Sequence, residues 1–318
     1  MVKQSEIRNR LLTWKPLRAL IWISRRIILP GFDKVPLYDV MVFFINGLSR
    51  GFLAVRAAGI AFNFVLAIFP MLVFLFTIIP IIPIENFQES LMALISDFLP
   101  QTADATVGYI IRDVVTQPQP GWFSISFLLT LYFSTTGIHS LMDAFNNTYH
   151  TIENRPWIIV RLISLFLILV MSAGLIVSIG LITFGPLVIE VLLPQSVEEG
   201  GFYLFLILAV KWIVVLALLF FSISLLYYMA PAKRRHFRFI SAGSTLATLL
   251  VVLTTFGFNF YVDNFSRYNV LYGSIGTLMI VLLWIYFNAF SLLIGFELNA
   301  SIHNAKVSKK GINDPEIS

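Results

Sequence analysis

The sequence predicts an all-α, polytopic membrane protein with six transmembrane helices and with N-terminus and C-terminus cytoplasmic. Three observations carry this prediction. Of 318 residues, 58% are hydrophobic and only 12% are charged, where a soluble domain carries roughly 25% charged residues. The apolar residues gather in six stretches, each long enough for the helix of about 20 residues that a bilayer requires. The basic residues fall in every second connection, as they do when they stay on the cytoplasmic side. So large an apolar excess exceeds the polar cover available, so lipid has to solvate the outside; the mean hydropathy of +0.85 agrees.

Residues 1–56 read as amphipathic helices on the cytoplasmic side. Ile7, Leu11, Trp14, Leu17 and Ile21 recur at helical spacing, with Arg8, Lys15, Arg18 and Arg25 interleaved. A basic amphipathic helix of this kind suits an anionic leaflet. Leu37, Met41, Phe44, Leu48, Phe52 and Val55 repeat the pattern. Such helices either lie on the membrane or pack against the bundle. Arg25 and Arg26 interrupt the apolar part of 20–30 and no cleavage site follows, so insertion is expected through an uncleaved first span.

The transmembrane domain is expected over 57–303, with spans at 57–82, 122–142, 161–187, 202–229, 240–261 and 274–296. Open strands are disfavoured, because lipid offers no partner for an unpaired backbone group. Between the first two spans, Ile84, Phe87, Leu91, Leu94 and Phe98 form one helical stripe, and Val107, Ile110, Ile111 and Val114 form another after Pro100. This predicts an outer helical hairpin at 84–120. The hairpin carries Glu85, Glu89, Asp97, Asp104 and Asp113, whereas the fourth connection reads Lys233, Arg234, Arg235, His236, Phe237, Arg238. Residues 304–318, with Lys306, Lys309 and Lys310, form a cytoplasmic tail.

Several functions are disfavoured by the residues. Cysteine is absent, which removes disulfides, thiolate nucleophiles and cysteine metal sites. His139, His150, His236 and His303 lack metal-ligand spacing, so no metal is expected. No phosphate loop occurs, and no cofactor is expected. Gly47-Leu48-Ser49-Arg50-Gly51 matches the pattern of a nucleophile elbow, but it stands on a helical stretch where the strand that motif needs is missing. Because the basic residues sit beside apolar segments rather than on one soluble face, the expected partners are membrane lipids and not nucleic acid.

Polar residues inside spans are costly in lipid and therefore invite a functional reading. Asn63, His139, Asp143, Asn146, Asn259, Asn288, Glu297 and Asn299 form a candidate polar cavity. His139 and Asp143 are four apart and share a helix face. Asn288, Ser291, Gly295 and Asn299 make a small-polar stripe. The same groups would also serve as hydrogen-bonded contacts between helices. Lys211, beside Trp212, either snorkels to the headgroups or enters a cavity. Gly243 with Ala247, and Gly174 with Ser178, have the spacing of close helix contacts.

Ala57-Ala58-Gly59-Ile60-Ala61-Phe62 leading to Phe69-Pro70 resembles the first-span signature of the YihY/BrkB family of bacterial inner-membrane proteins. Ala144-Phe145-Asn146-Asn147-Thr148-Tyr149, Leu226-Tyr227-Tyr228 with Pro231, Tyr272-Gly273-Ser274-Ile275-Gly276, Trp284-Ile285-Tyr286 and Gly295-Phe296-Glu297-Leu298-Asn299-Ala300 resemble its further motifs, in order. Asn63 and Phe296 depart from the family's common residues. The resemblance implies a multi-pass protein of the bacterial cytoplasmic membrane. Members have carried the label ribonuclease BN, yet nuclease activity is disfavoured here, since neither a metal or acid–base constellation nor a basic groove is present. The expected function is non-enzymatic: a transporter or permease-like protein for a small ion, polar solute or lipid, or alternatively a non-transporting envelope scaffold.

Overall fold

The computed structural model describes residues 22–78, 120–148, 153–192, 201–232, 239–265 and 274–313. The amphipathic stripe from Ile7 to Ile21 and the outer hairpin up to 119 lie outside them. Among the described residues all regular structure is helical.

Helix α1, Leu37–Arg50, ends where Gly51 bonds its N–H to the Gly47 carbonyl at 2.8 Å. Phe52 then takes the left-handed region, φ 48°, and turns the chain into α2, Leu53–Ile78, which carries Pro70 inside it. There follow α3, Pro120–Thr148, α4, Trp157–Leu192, and α5, Gly201–Met229. Proline suits the first turn of α3, because no intrahelical partner exists there for the N–H it lacks. The last two are α6, Ala242–Phe265, and α7, Ser274–Asn313. Six of these helices, α2 to α7, are long and apolar enough to cross a membrane. The chain is an integral membrane protein.

Helices outrun the predicted spans because hydropathy marks only the lipid-solvated part, while backbone hydrogen bonding continues through polar residues. Thus α2 starts at Leu53 rather than 57 and takes in Arg56. Helix α3 runs past Met142 to Thr148, and α7 runs past Phe296 to Asn313.

Neighbours in sequence are neighbours in space. Helix α2 packs on α3, α3 on α4, α4 on α5, α5 on α6 and α6 on α7, and α7 closes the ring against α2. Helix α1 lies against α7. The starts of α2, α4 and α6 and the finishes of α1, α3, α5 and α7 gather at one end, here called the terminal end.

The buried core sits toward that end. Phe145 of α3 stacks on Phe296 of α7, with centroids 4.1 Å apart, and Tyr227 of α5 stands edge-on to both at 5.5 and 5.4 Å. Tyr227 donates its hydroxyl to the Leu292 carbonyl, so the polar tip of a buried aromatic is satisfied. A second cluster joins Phe32, Val35 and Val40 to Leu298, Ile302 and Ala305 on the last part of α7, and Lys306 pairs with Asp33 at 2.7 Å beside it.

The small residues act as their spacing predicts. A Cβ added at Gly243 would stand 2.2 Å from the Gly295 carbonyl oxygen, and one at Gly295 would stand 2.5 Å from that of Gly243. Helices α6 and α7 therefore touch backbone to backbone, with Ala247 alongside. On α4, a Cβ at Gly174 would meet the Ser222 hydroxyl of α5 at 3.4 Å.

Candidate functional site

Two opposite charges lie near one another inside the bundle at the terminal end, close enough to interact but without ion-pair contact. Arg56, in the first turn of α2, donates from Nη1 to the Gly51 carbonyl at 3.0 Å and from Nη2 to the Ala144 carbonyl at 2.7 Å. Nη2 also donates to the Thr148 hydroxyl. Its guanidinium thus lies where α1 and α3 both finish, and the negative ends of two helix dipoles face it. The carboxylate of Glu297, from α7, lies near the Thr148 hydroxyl and feels the charge of Arg56. Glu297 is 7% exposed. Its Oε1 occupies the space a Cβ at Gly47 would need, 1.8 Å away, so only glycine on α1 admits it. Four helices, α1, α2, α3 and α7, converge on this carboxylate.

A second polar group ties α3, α4 and α5 together. Asn146 donates from Nδ2 to Glu153 Oε2 at 3.0 Å, and its Oδ1 accepts from the Ala232 N–H at 2.8 Å. Glu153 pairs with Arg155 at 2.6 Å. Arg155 in turn donates to the Met229 and Ala230 carbonyls at 3.3 and 2.8 Å, satisfying acceptors that the end of α5 leaves open. The hydrogen bonds from Arg155 hold the Glu153 carboxyl below the usual glutamate range, against the opposing effect of its partial burial.

A third group caps α6. Ser241 and Ser244 exchange side-chain-to-backbone bonds, each at 3.1 Å, a capping box with serine in the place of the usual glutamate. Asn299 of α7 accepts from the Gly243 N–H and donates to the Ser241 hydroxyl, both at 2.8 Å.

The eight residues of the candidate polar cavity therefore fall into separate neighbourhoods. Glu297, Asn146 and Asn299 sit in the three groups above. Asn63 donates to the Ser140 hydroxyl across α2 and α3. His139 and Asp143 pair at 3.5 Å on the half-exposed side of α3. Asn288 donates to Trp284 of its own helix at 2.8 Å, and Asn259 is exposed on α6. Lys211 lies half-buried over the Trp212 ring at 5.8 Å. Ser49, from the apparent nucleophile elbow, bonds the Ile45 carbonyl of its own helix at 2.7 Å. Among the described residues no three of His, Cys, Asp and Glu gather as metal ligands.

Arg56 and Arg161 border apolar runs, and in the sequence they are simply two of the basic residues that fall in alternate connections. Their roles show only once the helices are found to start before the apolar runs. Gly47 and Thr148 stand in motifs that do not reveal these contacts; both matter through what α7 brings to them.

The profile of the family described as Virulence factor BrkB matches residues 44–316. The chain belongs to the BrkB family. Among BrkB relatives, a ribonuclease-like protein of Bacillus subtilis (strain 168), YfkH, is 30% identical over 251 residues, covering 79% of this chain and 90% of that protein. A UPF0761 membrane protein of Xanthomonas campestris pv. campestris (strain B100) is 27% identical over 252 residues, which are 77% of this chain but 56% of the relative. One from Xanthomonas axonopodis pv. citri (strain 306) matches at the same identity over 57% of its length. The chain thus spans little more than half the length of these Xanthomonas relatives. No solved structure matches it.

Proposed function

We propose that this BrkB-family chain is a permease-like protein of the bacterial cytoplasmic membrane, passing a small ion, polar solute or lipid, with Glu297 as the group that takes up and releases a proton or cation. The observation that carries this reading is a carboxylate and a guanidinium, Glu297 and Arg56, withdrawn together inside membrane-spanning helices, where ionised groups are costly and usually functional. Arg56 Nε is buried without an acceptor among the described residues, so the pair holds binding capacity that its protein contacts do not use. A proton or cation on Glu297 weakens the attraction of Arg56 and so alters the contact of α7 with α1 and α2. Basic residues in alternate connections support cytoplasmic termini, and on that reading this pair belongs near the inner face.

The test is uptake or antiport in inverted vesicles, comparing the parent with Glu297→Gln. The expected result is a loss of about tenfold or more in flux, the equivalent of one strong interaction, with an unchanged melting temperature in detergent. Equal flux in the two proteins rejects the reading.

One set of observations favours a second reading, a non-transporting envelope scaffold. Asn63 and Asn299 are consumed in helix-to-helix bonds and Asn146 in bonds to the chain ahead of α4 and just past α5, as structural contacts would be. That reading expects another envelope protein to co-purify after mild detergent extraction and no flux in either variant.

A further inference from the structure

Arg161 differs from the other arginines that reach into the bundle. Arg56 faces Glu297 and Arg155 pairs with Glu153, but no carboxylate among the described residues pairs with Arg161. Its guanidinium lies at the seam of α3 and α4. Nη1 donates to the Thr135 hydroxyl at 2.8 Å, the Thr136 hydroxyl at 3.0 Å and the Tyr132 carbonyl at 3.4 Å. Both threonine hydroxyls spend their own protons on carbonyls of α3, so they act on Arg161 purely as neutral acceptors. The cation is held without being neutralised.

All three bonds fall on Nη1. Nη2 and Nε have no protein acceptor among the described residues, and together they form the flat two-donor edge that matches two oxygens of a phosphate. The rings of Tyr132 and Trp157 flank the guanidinium at 4.8 and 5.6 Å. Both are open to the outside, at 52% and 66% exposed.

Depth gives the site its meaning. Thr135 and Thr136 stand at the middle of the apolar segment Phe123–Thr148, and Arg161 itself four residues into Trp157–Leu181, so the guanidinium lies within apolar segments, where an uncompensated cation is unfavourable. The approach along α4 is lined by exposed Ile158, Leu162 and Leu169, which suit acyl chains. Toward the terminal end, Thr136, His139, Asp143 and Asn147 continue along one face of α3 as a polar margin, its carboxylate engaged with His139.

We propose that the seam between α3 and α4 binds the phosphate of an anionic phospholipid, drawn sideways from the bilayer onto the Nη2–Nε edge of Arg161. The guanidinium supplies the charge, Thr135 and Thr136 fix its orientation, and Tyr132 with Trp157 cover its faces. This site does not depend on whether the protein transports anything through Glu297.

The absence of native cysteine makes a clean test possible. Ile158→Cys, one turn from Arg161 on the same face, is labelled with a fluorophore in the full chain reconstituted into phosphatidylcholine nanodiscs. Brominated phosphatidylglycerol is expected to be enriched beside it about fivefold over brominated phosphatidylcholine at equal mole fraction, the enrichment one basic contact supports, and to quench it correspondingly more. A label at Ile176→Cys, further along α4, is quenched equally by both lipids. Arg161→Gln abolishes the preference and Arg161→Lys, a point charge without the fork, keeps part of it. Equal quenching at Ile158→Cys in the parent overturns the site, whether or not Arg161→Gln folds. Displacement of the brominated lipid by millimolar glycerol phosphate overturns the lipid assignment in favour of a soluble phosphate.

Discussion

The terminal end of the bundle and the middle of its spans are built by different rules. At the terminal end seven helices start or finish, and each leaves backbone donors or acceptors that need partners. Side chains from elsewhere in the bundle supply them: Arg56 of α2 for α1 and α3, Arg155 just ahead of α4 for α5, Asn299 of α7 for α6. Because each partner lies on or next to a different helix, satisfying the ends also fastens the helices together. Along the spans the backbone is already satisfied, and side chains such as Leu175, Ile176 and Phe256 lie exposed. Lipid replaces neighbouring helices as their packing partner, so these side chains need no matched contact. Hydrogen-bond accounting concentrates specificity where helices end.

This contrast can be broken from its strong side first. Phe145→Ala removes the ring stacked on Phe296 and under Tyr227, and is expected to cost about 3–5 kcal/mol, read as a lowered unfolding midpoint in detergent. Gly243→Val forces apart α6 and α7, with an expected loss of about 3 kcal/mol from overpacking at a backbone contact. If that variant melts like the parent, the two backbones do not meet.

Asn299→Ala strips a partner from the Gly243 N–H and the Ser241 hydroxyl, and about 1–2 kcal/mol should go with it. Glu153 adds a pH dependence. Its folded pKa is depressed by Arg155, so its contribution is present above the unfolded value and is lost as pH falls through the folded one. Acid melting curves should therefore steepen below the ordinary glutamate range in the parent and flatten in Glu153→Gln. At the weak side, Ile176→Ala should change stability by no more than about 0.5 kcal/mol. A loss as large as that of Phe145→Ala would erase the distinction between the two regions.

Much of this was legible in the sequence. Six apolar runs announce six spans, and the G-x-x-x-A spacing of Gly243 and Ala247 announces a close helix contact. The polar residues Asn146, Glu297 and Asn299 stand out because they interrupt or border apolar runs. What pairs with them does not. Arg56 and Glu297 are more than two hundred positions apart, and nothing periodic connects them. Asn63 and Asn299 look alike in sequence, yet one bonds a hydroxyl across α2 and α3 and the other caps α6.

The sequence by itself determined the solvent of this protein, the number of helices that cross it and the family to which it belongs. Those follow from local sums of hydropathy and from motifs that need no knowledge of neighbours. Only the tertiary structure decided which charges face a partner: Arg155 in an ion pair with Glu153, Arg56 near enough to feel Glu297, and Arg161 with no carboxylate among the described residues. Neutralisation depends on distances of a few ångströms between different helices, because the interaction decays with separation in space and is indifferent to separation along the chain.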